Sequence, residues 1–170
     1  MANPARAAVL DRLRDTIETL EQRAPLPRAP QAMAADFPFA RLPEDGVHEI
    51  WVPGFREAAH GLAFALGHAA ARLSPERPAI FWIQLAHETR ETGLPYAPGL
   101  APFGLGPRDL ILIRVETVPE LLWATEETAS CRAVAAVIAD VLVTPRALDF
   151  TASRRLALRA AATAVPVFTL

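Results

Sequence analysis

From residue 47 onward, the chain alternates between short apolar runs and longer stretches with helical periodicity. Apolar runs of this length are typical of strands covered on both faces of a parallel sheet. They predict strands over residues 47–53, 79–84, 109–115, 133–140 and 165–170. The intervening patterns predict helices over residues 57–72 and 117–131, and a third from Asp149 or Thr151 to residue 164. Because strands and helices alternate at this spacing, we predict an α/β domain with a parallel sheet of about five strands flanked by helices.

The first 46 residues follow a different pattern. Residues 1–24 predict an amphipathic helix, and residues 25–46 contain five prolines and predict a semi-extended linker. An isolated helix is marginally stable, so its apolar stripe must be covered by its own domain or by a partner. The linker also carries two aromatic residues that can anchor it to a surface. We therefore name as candidate interface residues Leu10, Leu13, Ile17, Leu20, Phe37 and Phe39.

Composition excludes several classes of function. The net charge of −2 provides no basic field for nucleic acid or an anionic membrane. No apolar run is long enough for a membrane helix, and the N-terminus lacks the pattern of a secretory signal, so we expect a cytoplasmic protein. The one cysteine, Cys131, is interpreted as a small apolar filler rather than a nucleophile. The four histidines have no metal-binding spacing, and we predict no metal, no cofactor and no catalytic residue.

The turn between the first strand and the first helix lies where an α/β protein would carry a P-loop. A working P-loop, G-x-x-x-x-G-K-[ST], holds phosphates on backbone N–H groups and on its Lys. Counted from Pro53-Gly54, this chain has Ala59, His60 and Gly61 at the last three positions. All 17 basic residues are Arg, which does not substitute for that Lys. The stretch is either a degenerate nucleotide site or an ordinary strand–helix crossover.

Two acidic residues follow predicted strands, where α/β proteins bind ligands. Asp140 ends the fourth strand and is placed like a metal-orienting acid, although an acid capping the next turn is commoner. Glu88 follows the second strand and is placed like a water-activating carboxylate, although a solvated surface position is favoured. Arg154, Arg155 and Arg159 lie on one predicted helix, where they form either a solvated face or a contact for an acidic partner.

Several motifs in the predicted domain resemble the ATPase core of RecA and its relatives. These are H-E-I-W-V-P-G at 48–54, P-E-L-L-W-A-T-E-E at 119–127, A-V-A-A-V-I-A-D at 133–140 and V-P-V-F-T-L at 165–170. Within that superfamily the chain is most similar to the ImuA family of damage-inducible mutagenesis proteins, also described as RecA/SulA-like. The motifs that carry this similarity are F-W-I-Q at 81–84, L-P-Y-A-P-G-L-A-P-F-G-L at 94–105, D-L-I-L-I-R-V at 109–115 and L-D-F-T-A-S-R-R-L-A-L at 148–158.

The resemblance implies a RecA-like core over residues 47–170 with a degenerate Walker A motif. It implies an accessory role in SOS-induced translesion synthesis, without catalysis. The implied partners are an ImuB-type polymerase-like protein, an error-prone C-family polymerase or RecA, with self-association as a further possibility. Relatives continue past the position of Leu170, so the resemblance implies either a C-terminally truncated domain or one without their C-terminal module, and it disfavours direct DNA binding. The alternative is a residual ATP-binding switch or weak ATPase.

Overall fold

The computed structural model describes residues 42–43, 45–141 and 149–170. The predicted N-terminal helix, its apolar stripe, Phe37 and Phe39 lie outside the described residues. The described part is an α/β unit that begins at the end of the predicted linker.

Within this part, five strands form one sheet in which every neighbouring pair is parallel. The sheet order is β1-β5-β4-β2-β3, so β1 and β3 are the edge strands. The strands are β1 Val47–Glu49, β2 Ala79–Leu85, β3 Leu110–Val115, β4 Val134–Asp140 and β5 Val167–Thr169. The predicted five-stranded parallel sheet is confirmed.

Helices cover both faces of the sheet. They are α1 Ala58–Ala70 after a 3-10 turn Phe55–Glu57, α2 Thr89–Thr92, α3 Ala97–Leu100 before a second 3-10 turn Ala101–Phe103, α4 Val118–Ala129 and α5 Phe150–Thr163. One core cluster joins α1 and the α3 region to the sheet face that carries Trp82 and Ile138. A second cluster joins α4 and α5 to the opposite face, which carries Ile83 and Val137. Successive strand residues point to opposite faces, so the continuous apolar runs of β2 and β4 fill both clusters.

The two long helices on the second face begin where the sequence predicts. Thr117 and Glu120 form a reciprocal capping box at the start of α4, in which each side chain accepts a hydrogen bond from the other residue's backbone N–H. Asp149 caps α5 by accepting a hydrogen bond from the Ala152 N–H at 2.9 Å. The helix ends at Ala164, whose left-handed φ of 52° stops the helical ladder.

The first strand is shorter than predicted. The apolar pattern extends to Pro53, but β1 ends at Glu49. As an edge strand it pairs with β5 alone, which has three residues, and its last contact is a 2.8 Å hydrogen bond from the Ile50 N–H to the Thr169 carbonyl. A strand's length is set by its neighbour as well as by its own sequence, and Pro53 has no N–H to continue the ladder.

Candidate functional site

The predicted site residues all follow the carboxyl ends of strands, but of different strands. The Pro53-Gly54 turn follows β1 at one edge of the sheet, whereas Asp140 ends β4 and Glu88 follows β2. In the strand order, β5 separates β1 from β4, and two strands separate β1 from β2. At about 4.8 Å per strand, the turn lies roughly 10–14 Å across the sheet from the two strands that carry the acids.

The Pro53-Gly54 turn lacks the features of a phosphate cradle. Pro53 has no N–H to offer, and Gly54 has no positive φ that would require glycine. The Gly54 carbonyl accepts a hydrogen bond from the Glu57 N–H at 3.1 Å. A Cβ built on Gly54 would lie 3.2 Å from Glu57 Oε2, so this carboxylate folds over the turn at the N-terminus of α1. An acid at this position interacts favourably with the helix dipole and repels an incoming anion.

The remaining Walker positions serve packing or face solvent. Gly61 is buried, and a Cβ placed on it would lie 3.0 Å from Val52 Cγ1 and 3.2 Å from Ile50 Cγ2. Glycine therefore allows α1 to pack closely against the chain that leaves β1. Ala59 and His60 are exposed on the same helix turn. Of these three positions, Gly61 thus serves packing, and Ala59 and His60 face solvent.

Asp140 is held in a hydrogen-bond network between β4 and β2. Its Oδ2 accepts hydrogen bonds from Trp82 Nε1 at 3.1 Å and from Gln84 Nε2 at 2.9 Å. Gln84 lies beside Asp140 in the parallel register, and its side chain is only 3% exposed. Trp82 is also buried. A half-buried carboxylate that receives two buried donors acts first as their acceptor.

Glu88 has a backbone role at the start of α2. Its N–H donates to the Leu85 carbonyl at 3.1 Å, and its carbonyl accepts from the Thr92 N–H at 3.1 Å. The residue is half-buried rather than fully solvated. Among the residues that the structure describes, no group of three or more His, Cys, Asp or Glu side chains is placed to hold a metal ion.

The carboxyl edge also displays aromatic side chains that the sequence did not single out. Trp51 is 80% exposed, Tyr96 73% and Phe150 79%. Trp51 follows β1, Tyr96 directly precedes α3 in the segment between β2 and β3, and Phe150 is the first residue of α5, which follows β4. Trp51 also lines a cleft of about 120 Å³ whose other walls include Leu121 and Leu156. Aromatic character alone predicts a buried position, so only the fold reveals that these side chains face solvent.

Two histidines lie apart from this edge, on the face covered by α1. The rings of His48 and His68 stack on Phe168, with centroid distances of 5.3 Å and 6.3 Å. Burial lowers the pKa of both imidazoles, and the nearby Arg72 guanidinium lowers it further. Both imidazoles are half-buried and pack against Phe168 of the core cluster on this face.

Two further predictions were tested by the structure. Cys131 is exposed, so its interpretation as an apolar filler is wrong: it lies just beyond the end of α4, in the turn before β4. On α5, Arg155 forms an ion pair with Glu126, with a 2.9 Å hydrogen bond from its Nε to Oε1, while Arg154 and Arg159 are exposed.

Of the helices in the described ranges, none has the length and apolarity needed to cross a membrane.

Comparison with known proteins gives a likeness to a solved structure but none to a family model. No protein-family model and no curated protein matches the chain. Among solved structures, the chain is similar to SulA from Pseudomonas aeruginosa, with 16% sequence identity and a TM-score of 0.48. The alignment covers 72% of this chain and 95% of the SulA chain.

Proposed function

We propose that this chain is a non-catalytic RecA-like accessory domain that acts through protein–protein contacts in SOS-induced translesion synthesis. Its proposed partners are an ImuB-type polymerase-like protein, an error-prone C-family polymerase or RecA. The sequence motifs that resemble the ImuA family support the biological setting. The geometry of the carboxyl edge supports the binding role and the lack of catalysis.

The proposal that the domain has no catalytic nucleotide site is based mainly on the position of the Glu57 carboxylate over Gly54. A triphosphate site needs N–H donors and a cation at the N-terminus of the helix, and here an acid lies at that point. Asp140 supports the same proposal, because its Oδ2 already accepts from Trp82 and Gln84. The two donors also fix the orientation of the Asp140 carboxylate within the sheet.

The exposed aromatic residues of the carboxyl edge support the binding part. Protein interfaces are enriched in Trp, Tyr and Phe, and such residues carry much of the binding energy. Trp51 and Phe150 are largely exposed, and a partner that covers them would remove this apolar surface from water. The cleft beside Trp51 has apolar walls that suit an apolar side chain of the partner.

Alanine substitution tests this surface. We expect Trp51→Ala and Phe150→Ala to weaken the binding of at least one of the three purified partners at least tenfold, or about 1.4 kcal/mol. Leu158→Ala is the matched control, because Leu158 is an exposed apolar residue on α5 two turns beyond Phe150 at the start of that helix. Binding would be measured by surface plasmon resonance, with circular dichroism to check folding. Unchanged affinity of both aromatic variants for all three partners would contradict the proposed surface.

The alternative function, a residual ATP-binding switch, has a direct calorimetric test. Titration of the chain with ATP and Mg²⁺ should show no binding tighter than about 1 mM, which corresponds to about 4 kcal/mol. Tighter binding that is strengthened by Glu57→Gln would favour the switch, because that substitution removes the charge that opposes phosphate.

A further inference from the structure

Helix α1 lacks the polar outer face that a surface helix normally has. Its thirteen residues include no Asp, Glu, Lys or Arg, and its polar side chains are those of two histidines. The side that packs on the sheet is buried and includes Ala65, Leu66 and Ala69. A helix that is apolar around its whole circumference is usually covered on both sides. The side of α1 that is turned away from the sheet therefore needs a second cover.

Four residues form a continuous surface along the outer flank of α1. Because their spacings are three and four, they lie above one another on the helix, and we call them the α1 strip: Phe64, Gly67, His68 and Ala71. The rings of Phe64 and His68 meet edge to face, with their centroids 4.5 Å apart. Gly67 adds no side chain beside them, so the strip is an aromatic surface with a hollow at its centre.

Gly67 is unfavourable for the helix unless a neighbour uses this hollow. Glycine in a helix interior lowers the folding equilibrium constant about fivefold relative to alanine. Gly67 has no positive φ, so its backbone conformation does not require glycine. Gly61 shows the usual alternative on the sheet side of α1, where its missing side chain admits Val52 and Ile50. By the same reasoning, Gly67 indicates a close approach from the outer side.

The chain enters the described domain at the C-terminal end of this strip. Leu42 packs against the core cluster that includes α1. Arg72, which follows Ala71, donates hydrogen bonds from Nη2 to the Leu42 carbonyl at 3.3 Å and to the Pro43 carbonyl at 3.4 Å. The residues that precede Leu42 therefore start beside the last turn of α1.

The segment F-P-F-A at 37–40 has the length needed to cover the strip. Phe39 precedes Leu42 by three residues and Phe37 by five, which is about 10 Å and 17 Å of extended chain. Along the helix axis, His68 and Phe64 lie about 6 Å and 12 Å from Arg72. The two phenylalanines can therefore lie at the level of the two rings of the strip.

The segment also matches the strip in chemistry. It has no charged side chain, so burying it on an uncharged helix leaves no charge without water or a partner. Its phenyl rings can pair with Phe64 and His68 in the offset or edge-to-face arrangements that aromatic side chains favour. An acidic partner would meet the Arg72 guanidinium, which the Leu42 and Pro43 carbonyls already engage.

We propose that residues 37–40 dock on the α1 strip of the same chain. Phe37 and Phe39 pack over Gly67, against the two aromatic rings of the strip. These two phenylalanines are then an anchor within the chain rather than part of a surface that a partner contacts.

The anchor sets the reach of the N-terminal segment. Residues 25–36 remain between the anchor and the predicted helix at 1–24, and twelve residues span about 40 Å at most. The apolar stripe of that helix is thus offered to a partner from beside α1. This inference does not depend on which partner the chain binds.

Nuclear Overhauser contacts in the full chain test the docking directly. We expect contacts from the ring protons of Phe37 or Phe39 to those of Phe64 and His68. The same measurement on a mixture of labelled and unlabelled chains, filtered for contacts between copies, should show none. The absence of these contacts, or their presence only between copies, would overturn the proposal.

Substitution of Gly67 provides an independent test through stability, measured by urea unfolding. Leucine at this position is favourable for the helix but fills the hollow that the phenylalanines would use. We expect Gly67→Leu to raise the unfolding equilibrium constant at least fivefold in the native chain and to lower it after Phe37→Ala and Phe39→Ala. The control, Ala157→Leu at an exposed position of α5, should act alike in both backgrounds. Stabilisation by Gly67→Leu in both backgrounds would refute docking on the strip.

A double-mutant cycle replaces this test if Gly67→Leu does not fold. Phe39→Ala and Phe64→Ala should together change the unfolding constant at least fivefold less than the product of their separate effects, because each removes the same contact. Phe39→Ala combined with Phe150→Ala, at the exposed start of α5, should give the simple product. A simple product for both pairs would exclude the contact.

Discussion

Asp140→Ala tests whether this strand-end acid is a structural acceptor or a functional carboxylate. The substitution removes the oxygen that accepts from Trp82 Nε1 and Gln84 Nε2. Hydrogen bonds to a charged group contribute about 1.5–3 kcal/mol each, so two would contribute about 3–6 kcal/mol. Asp140 is half-buried, so water can replace part of the carboxylate. We therefore expect the free energy of unfolding to fall by about 2–4 kcal/mol.

Two companion variants test whether the lost hydrogen bonds account for the loss of stability in Asp140→Ala. Asp140→Asn keeps an oxygen that can accept both hydrogen bonds and loses only the charge, so its cost should be about 1 kcal/mol. Gln84 Oε1 is buried and has no hydrogen-bond partner among the described residues, so one polar atom of this side chain is already unsatisfied before Asp140 is removed. Adding Gln84→Leu to Asp140→Ala removes the amide that the single substitution leaves unpaired. The double variant should therefore be more stable than Asp140→Ala alone.

Unfolding in urea should be followed by far-ultraviolet circular dichroism. Tryptophan fluorescence is unsuitable as the probe, because the emission of Trp82 changes directly when its hydrogen-bond partner Asp140 is removed. Glu127→Ala, at an exposed position on α4, should change stability by less than about 0.5 kcal/mol and serves as the control. The reasoning is refuted if Asp140→Ala matches this control in the absence of nucleotide and metal. Asp140 would then be available for a ligand, as a metal-orienting acid must be.

The remaining predictions concern a helix cap, two half-buried histidines and the N-terminal segment. Thr117→Ala should lower the free energy of unfolding by about 1 kcal/mol, and Thr117→Ser should restore it, as measured by urea unfolding. Burial lowers the pKa of His48 and His68 below 6.5, so the unfolded state binds protons first as the pH falls, and stability declines below about pH 6.5. Urea midpoints at pH 7.5 and 5.5 should show this decline, and an equal decline after His48→Gln and His68→Gln would contradict it. Deletion of residues 1–24 should reduce capture of the partner proteins in a pull-down, and unchanged capture would exclude a docking role for that segment.

The core of the fold was predictable because its signal is local. The apolar runs at 79–84 and 133–140 differ by one residue at one end from β2 and β4, which are buried on both faces. The capping box at the start of α4 is likewise encoded in four consecutive residues. The end of β1 was not predictable, because it depends on pairing with the short β5 at the far end of the chain.

The site was less predictable because it depends on register. Asp140 and Gln84 are 56 positions apart in sequence, and only the pairing of β2 with β4 brings them side by side. Sequence spacing placed Asp140 correctly at a strand end but did not identify the donors that occupy it. In the same way, spacing aligned Gly61 with a P-loop position, whereas its environment of Ile50 and Val52 shows a packing role.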